Sequence, residues 1–195
     1  MKNTAAFIAS ITVALITFGT QPLSAREIEG VSIAETTTIE NTPSSLLLNG
    51  AGVRTKFFFD IYIGSLYLNK KSHDPAEVIS LDGPKRISMH FLYDEVSKEK
   101  LVKGWVDGFK NNHTPSDYEK LKPDLKRFNT LFQNVQKNDV LDLDYAPSQG
   151  TIIYHNKKRL GSIKNPNFYN ALLKVWLGDD PADSSLKQAM LGIAD

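Results

Sequence analysis

The chain has no cysteine. Thiol nucleophiles, disulfides and thiolate metal sites are therefore excluded, and a hydrophobic core must hold the fold together. It also lacks an excess of either charge. Residues 26–195 carry 22 basic and 22 acidic side chains, a formal net charge of zero with histidine neutral. Without a basic block there is no electrostatic footprint for nucleic acid. Only four histidines are present, His73, His90, His113 and His155, and none has a partner at i+3 or i+4. No metal site is expected from them. There is no Gly-x-Ser-x-Gly elbow and no glycine loop that would cradle a phosphate. Gly50-Ala51-Gly52 begins like a dinucleotide fingerprint, but Thr55 stands where the third glycine belongs and a strand pattern follows. No cofactor is expected. Beyond the first 25 residues no second long apolar run occurs, so no integral membrane segment is expected in the remainder.

What is there begins with a leader. Lys2 supplies a short positive region, Ala5 to Phe18 is uncharged and mostly apolar, and Leu23-Ser24-Ala25 ends in a small residue suited to cleavage. Residues 1–25 read as a secretory signal peptide and 26–195 as a single exported domain, with an uncleaved N-terminal anchor as the alternative. Export without cysteine suits the periplasm of a Gram-negative cell.

The richest stretch of that domain is Leu46 to Leu68, apolar, aromatic and β-branched apart from Asn49-Gly50-Ala51-Gly52. It reads as two strands, or one long bent strand, in the middle of a sheet. The glycines mark a bulge or a place where another backbone or a ligand comes close. Arg26 to Ile39 reads as short edge strands, and a strand over Phe57 to Leu68 is apolar on both faces, so it is expected to be covered on both. Pro75 opens a short helix, and Arg86 to Tyr93 forms another strand. Ser97 and Thr114 are expected caps of two helices; Pro123 falls inside the second and predicts a kink or break. A three-strand meander follows over Val140 to Ile163, in which Asp142 and Asp144 alternate with leucines like a solvated face. Two more helices start at Pro166 and near Asp183. The fold class expected is α+β, helices against one mostly antiparallel sheet.

Arg54 stands out chemically, because it lies in a stretch that should be buried. A buried guanidinium needs a carboxylate, carbonyl groups or a ligand. Either it makes an internal salt bridge or faces solvent at a bulge, or it is an anion clamp suited to a carboxylate or an enolate. Tyr62, Tyr67 and Tyr93 could add hydrogen bonds beside it, or pack as strand tyrosines. If residues 54 to 62 formed one straight strand they would span about 26 Å, too far for Arg54 and Tyr62 to share one small anion. Convergence requires a hairpin near Thr55-Lys56 or a strong bend, and neither residue is a favoured turn former.

Asn49-Gly50-Ala51-Gly52-Val53-Arg54, Ile61 to Leu68, and Trp176-Leu177-Gly178-Asp179-Asp180-Pro181-Ala182-Asp183 resemble the chalcone isomerase family, closest to its bacterial exported branch. The resemblance spans residues 27 to 192. It implies an open-faced β-sandwich, with a long sheet, helices layered on it and a ligand cleft between them. The family's enzymes cyclise a chalcone with an Arg, a Thr on the next strand, a Tyr and an Asn near the first long helix and a Thr in a late helix. By resemblance Arg54 matches the Arg. The other positions fall near Tyr62, near Ser97 with Tyr93 close in sequence, near Gly104 and near Val175. The Arg is kept and most of the donor set is not. The same fold includes fatty-acid-binding relatives without isomerase activity, which hold a carboxylate with that Arg and a Tyr.

Three readings follow. The first is a periplasmic, non-catalytic protein that binds a small apolar acid, fatty-acid-like, with Arg54, Tyr62 and Tyr67 as ligand-binding residues. The second is an isomerase acting on an enolisable or phenolic ligand. The third is an interaction module in which Arg54 is structural. Asp60 bonded to Arg54 with no cavity would favour the third; an apolar pocket reached by Arg54 would favour the first two.

Overall fold

The structure, a computed structural model, describes residues 25–193. The expected signal peptide lies outside the described residues except for Ala25. In chain order, β1 (Ala25–Ile28) and β2 (Val31–Ala34) form a hairpin, followed by β3 (Thr36–Thr38), β4 (Ser45–Lys56) and β5 (Phe59–Leu68). Next come α1 (Pro75–Ser80), β6 (Lys85–Phe91), β7 (Glu95–Val96), α2 (Lys98–Asn112), α3 (Pro115–Thr130) and β8 (Val135–Gln136). The meander β9 (Val140–Ala146), β10 (Gly150–His155) and β11 (Lys158–Ile163) leads to α4 (Pro166–Leu177) and α5 (Ser184–Met190). Seven strands join in the order β11-β10-β9-β6-β5-β4-β3, every pairing antiparallel.

The caps that start the long helices are the ones their sequence announces. The Ser97 hydroxyl accepts from the Lys100 amide, and the Thr114 hydroxyl accepts from the Asp117 amide with Pro115 in the first turn. α2 buries Leu101, Trp105 and Phe109, and α3 buries Leu121, Leu125 and Phe128. These side chains join the main core, between one face of the sheet and the helices. The opposite face is covered by the N-terminal segment, with Ile33 of β2 and Ile39 just after β3 packed with Leu46, Leu48, Ile63 and Tyr67. The central strands are thus covered on both sides, as their two apolar faces require.

Three expectations are corrected. The strand does not start at Phe57: Lys56 pairs with Phe59, and Phe57-Phe58 is the turn of a tight β4–β5 hairpin. α3 is one helix through Pro123, so of the expected kink or break the break is overturned, with buried residues on both sides of the proline joining one core. Asp144 is not solvated but fully buried, and accepts from Arg86 Nε and Nη2 at 2.6 and 2.7 Å. β9 does alternate, with Leu141 and Leu143 in the main core, and the cover over its second face comes from elements far away in sequence.

The glycines of the central stretch seat a helix. A Cβ on Gly50 would fall 2.1 Å from the carbonyl oxygen of Ala189, and one on Gly52 would fall 2.4 Å from the Ala189 Cβ. β4 therefore admits α5 only because these positions carry no side chain. Asn49 locks the contact. Its side-chain amide donates to Met190 and Ser72 carbonyls, and its carbonyl accepts from the Ser72 amide. Closing α5 onto β4 brings the segment Asp180–Asp183 toward the far end of the same strand, where Arg54 lies.

Candidate functional site

The hairpin solves the distance problem. With the chain reversed at Phe57-Phe58, Arg54 on β4 stands directly opposite Tyr62 on β5, separated from the next pair by a bulge. The guanidinium carbon lies 5.6 Å from the centroid of the Tyr62 ring, within reach of a cation–π contact. Tyr62 is buried, and its hydroxyl oxygen accepts from the Trp176 indole at 2.9 Å. Burial pushes the Tyr62 phenol above its ordinary value, and the Arg54 charge offsets part of that rise. The phenol therefore keeps its proton at neutral pH. Among the described residues no group accepts that proton.

Arg54 itself has no ion-pair partner among the described residues. Its Nε is buried and makes no hydrogen bond. Both nearby carboxylates are engaged elsewhere. Asp60 accepts from the Thr55 hydroxyl at 2.8 Å. Asp183 caps α5 through the Leu186 amide and accepts from the Thr55 amide.

Arg54 lines two adjoining spaces. The outer one is a cavity of about 580 Å³ between the β4–β5 hairpin, α2 and the segment Asp180–Ala182. Phe57, Phe59, Ile61, Tyr93 and Val96 give it an apolar wall. The inner one, about 60 Å³, is bounded by Tyr62, Met89, Phe91, Trp105 and Val175. Arg54, Lys100, Ile61, Gly104 and Ala182 belong to both, so the guanidinium sits where the two meet. The acids on the outer wall are held by neighbours: Asp107 by Lys103, Glu95 by Asn134 and Gln136, Asp180 by Asn111. Lys56 and Lys100, like Arg54, have no carboxylate partner among the described residues. Arg54, Lys56, Lys100 and Lys103 outnumber Glu95, Asp107 and Asp180 on this wall by one charge, a slight positive excess that suits an anionic group on an otherwise apolar ligand.

Arg54 and Tyr62 are thus brought together, and Tyr67 is not. Tyr67 packs on the opposite face of the sheet and donates to the Ala34 carbonyl at 3.0 Å. Its place was legible, since residues five apart on a pleated strand point to opposite faces. The positions carried over by resemblance do converge: Tyr62, Gly104 and Val175 all border the inner space, although only Tyr62 brings a polar atom. Ser97 caps α2, and Tyr93 stands on the outer wall against Phe59. Trp176, Lys100 and the Asp180–Ala182 segment were not singled out as site residues. Trp176 had the readable signal of an indole that must find a partner when buried.

No curated protein matches this chain. Among solved structures, the crystal structure of an Arabidopsis thaliana fatty-acid binding protein aligns with a TM-score of 0.60 at 16% sequence identity, covering 80% of this chain and 96% of that one. At that identity the likeness establishes the fold, an antiparallel sheet with helices layered on it. The sequence profile described as chalcone isomerase-like matches residues 25–192, from the first described strand to just past the last helix. Over that whole span, the chain belongs to the chalcone isomerase-like family.

Proposed function

We propose that the protein binds a small apolar acid, fatty-acid-like in chemistry, and does not transform it. The acid's carboxylate lies on Arg54 and its tail runs along the outer cavity. The observation that carries this reading is the unpartnered guanidinium with a buried Nε at the junction of two cavities. A buried donor without an acceptor is a standing cost, and a carboxylate removes it with paired charge-assisted hydrogen bonds. The proton that Tyr62 retains offers the same acid a further bond. The outer volume falls within the range of small-molecule sites. The fatty-acid binding protein that shares the fold supports the ligand class. The apolar leader supports a periplasmic location.

Binding is favoured over isomerisation by what surrounds the pair. Gly104 and Val175 stand where the resemblance places an Asn and a Thr, so a developing enolate would find Arg54 and Tyr62 but not the rest of the set. Each missing oxyanion donor costs about 3–4 kcal/mol of transition-state stabilisation. The interaction-module reading loses its premise, because Asp60 is bonded to Thr55 and a cavity is present.

The test is native mass spectrometry of the protein purified from periplasm, beside Arg54→Ala and Arg54→Lys. A co-purified acid in the wild type, lost in Arg54→Ala, supports the clamp and identifies the ligand. An empty wild type that also fails to take up long-chain carboxylates from solution overturns the proposal.

A further inference from the structure

Among the described residues, five large hydrophobic side chains are exposed, and three of them are consecutive: Phe57 at 83%, Phe58 at 96% and Phe59 at 55%. They form the tip of the β4–β5 hairpin, where Phe57 takes a φ of 59°, a left-handed conformation rare for an aromatic residue. Given what a phenylalanine can bury, the tip offers roughly 350–600 Å² of apolar surface. Patches of that size on a monomer are often functional. It falls short of the ~800 Å² per partner of a stable protein interface. It is also a narrow protruding turn rather than a flat or grooved face, a shape that enters a deformable phase better than it fits a second folded surface. The tip itself carries one basic and one acidic residue, Lys56 and Asp60, for a net charge of zero, so attraction to it is apolar rather than electrostatic.

We infer that the Phe57-Phe58-Phe59 tip inserts into the apolar–polar boundary of a lipid bilayer and docks the protein there. Phe57 and Phe59 also line the outer cavity, whereas Phe58 does not. Docking therefore sets the cavity mouth on the lipid surface, where aromatic side chains are at home. One consequence rests on the proposed ligand: an apolar acid dissolved in the bilayer would enter the cavity without crossing water. The docking itself does not depend on that ligand.

The test is flotation with vesicles of phosphatidylethanolamine and phosphatidylglycerol, and separately of phosphatidylcholine. The chain from Ala25 onward is used, because it holds every described element and omits the apolar run Ala5–Phe18, which would bind vesicles by itself. The wild type is expected to float with both vesicle types and to stay bound in high salt. Phe58→Ser is expected to lower the partition coefficient by about tenfold or more. Phe58→Trp is expected to float and to show a blue-shifted emission on vesicles, against a background of two buried tryptophans, Trp105 and Trp176. Arg54→Ala, which tests the ligand, is expected to float like the wild type, so the two readings fail separately. A wild type that does not float, a Phe58→Ser variant that floats equally well, or a wild-type dimer that Phe58→Ser dissociates would each overturn the inference.

Discussion

Replacing Arg54 with alanine separates a clamp from a structural arginine, because the two roles move stability and affinity in different ways. A buried ion pair broken on one side costs about 3–5 kcal/mol, since the remaining charge is stranded. Arg54 strands nothing when removed: no carboxylate faces it, and its Nε already lacks a partner. The expected change in unfolding free energy is therefore within about 1 kcal/mol, mostly the lost cation–π contact with the Tyr62 ring. Affinity should respond far more. Hydrogen bonds to a charged group contribute about 1.5–3 kcal/mol. A long-chain carboxylate should thus bind roughly 10- to 150-fold more weakly to Arg54→Ala, while the alcohol of equal length should lose little. The assay is isothermal titration calorimetry of acid and alcohol, with urea denaturation of the same preparations. A loss of several kcal/mol in stability, or equal weakening of acid and alcohol, would refute the reasoning.

Four further outcomes are expected. Tyr62→Phe leaves the buried Trp176 N–H without an acceptor and should destabilise the fold by about 1–3 kcal/mol in urea denaturation. Asp144→Asn strips the charge that Arg86 holds in the covered face and should cost about 3–5 kcal/mol by the same measurement. Gly50→Ala forces a Cβ into the Ala189 carbonyl, so α5 must shift, and a loss of about 2–3 kcal/mol is expected with weaker ligand binding. Lys85 is fully buried, its ammonium held by the Val78 and Ile79 carbonyls and Asn170, and burial lowers its pKa to about 8 although Asp82 opposes the shift. Its folded value lies below the unfolded one, so the unfolded chain binds more protons through that window and stability rises with pH. Urea midpoints should climb by the equivalent of about 2 kcal/mol from pH 8 to 10, and that climb should vanish in Lys85→Met.

Local chemistry was legible where a short segment decides it. Ser97, Thr114 and Pro115 set the starts of α2 and α3, and the caps formed as their residue types require. The glycines at 50 and 52 announced a close approach, although not that α5 makes it. The hairpin was hidden because turn rules look for glycine or asparagine, and here two phenylalanines make the turn, one of them at positive φ. Sequence separation hid the rest. Nothing within β9 says that the N-terminal strands will cover Asp144, and nothing within α3 says that packing will carry it through Pro123. The cavity is of this second kind, since its walls come from β4, β5, α2 and a loop some 125 residues downstream of Arg54.

Two arginines on opposite faces of the same sheet show what the sequence could not distinguish. Arg86 has everything a buried guanidinium needs inside the protein: both oxygens of Asp144 and the Thr37 hydroxyl at 2.6 Å. That is the arrangement by which a fold satisfies an arginine from its own residues. Arg54 lies in the same sheet and has none of it. Its neighbouring carboxylates are turned to Thr55 and to the cap of α5, and a phenol with a spare proton stands opposite. An arginine kept only for stability would be expected to resemble Arg86, since a half-satisfied buried group is worse than an apolar one. The contrast points outward, to an acceptor that the protein does not itself supply. It also explains why Tyr62, rather than Tyr67, is the partner of interest: Tyr67 donates to a carbonyl of its own chain, and Tyr62 still has a proton to give.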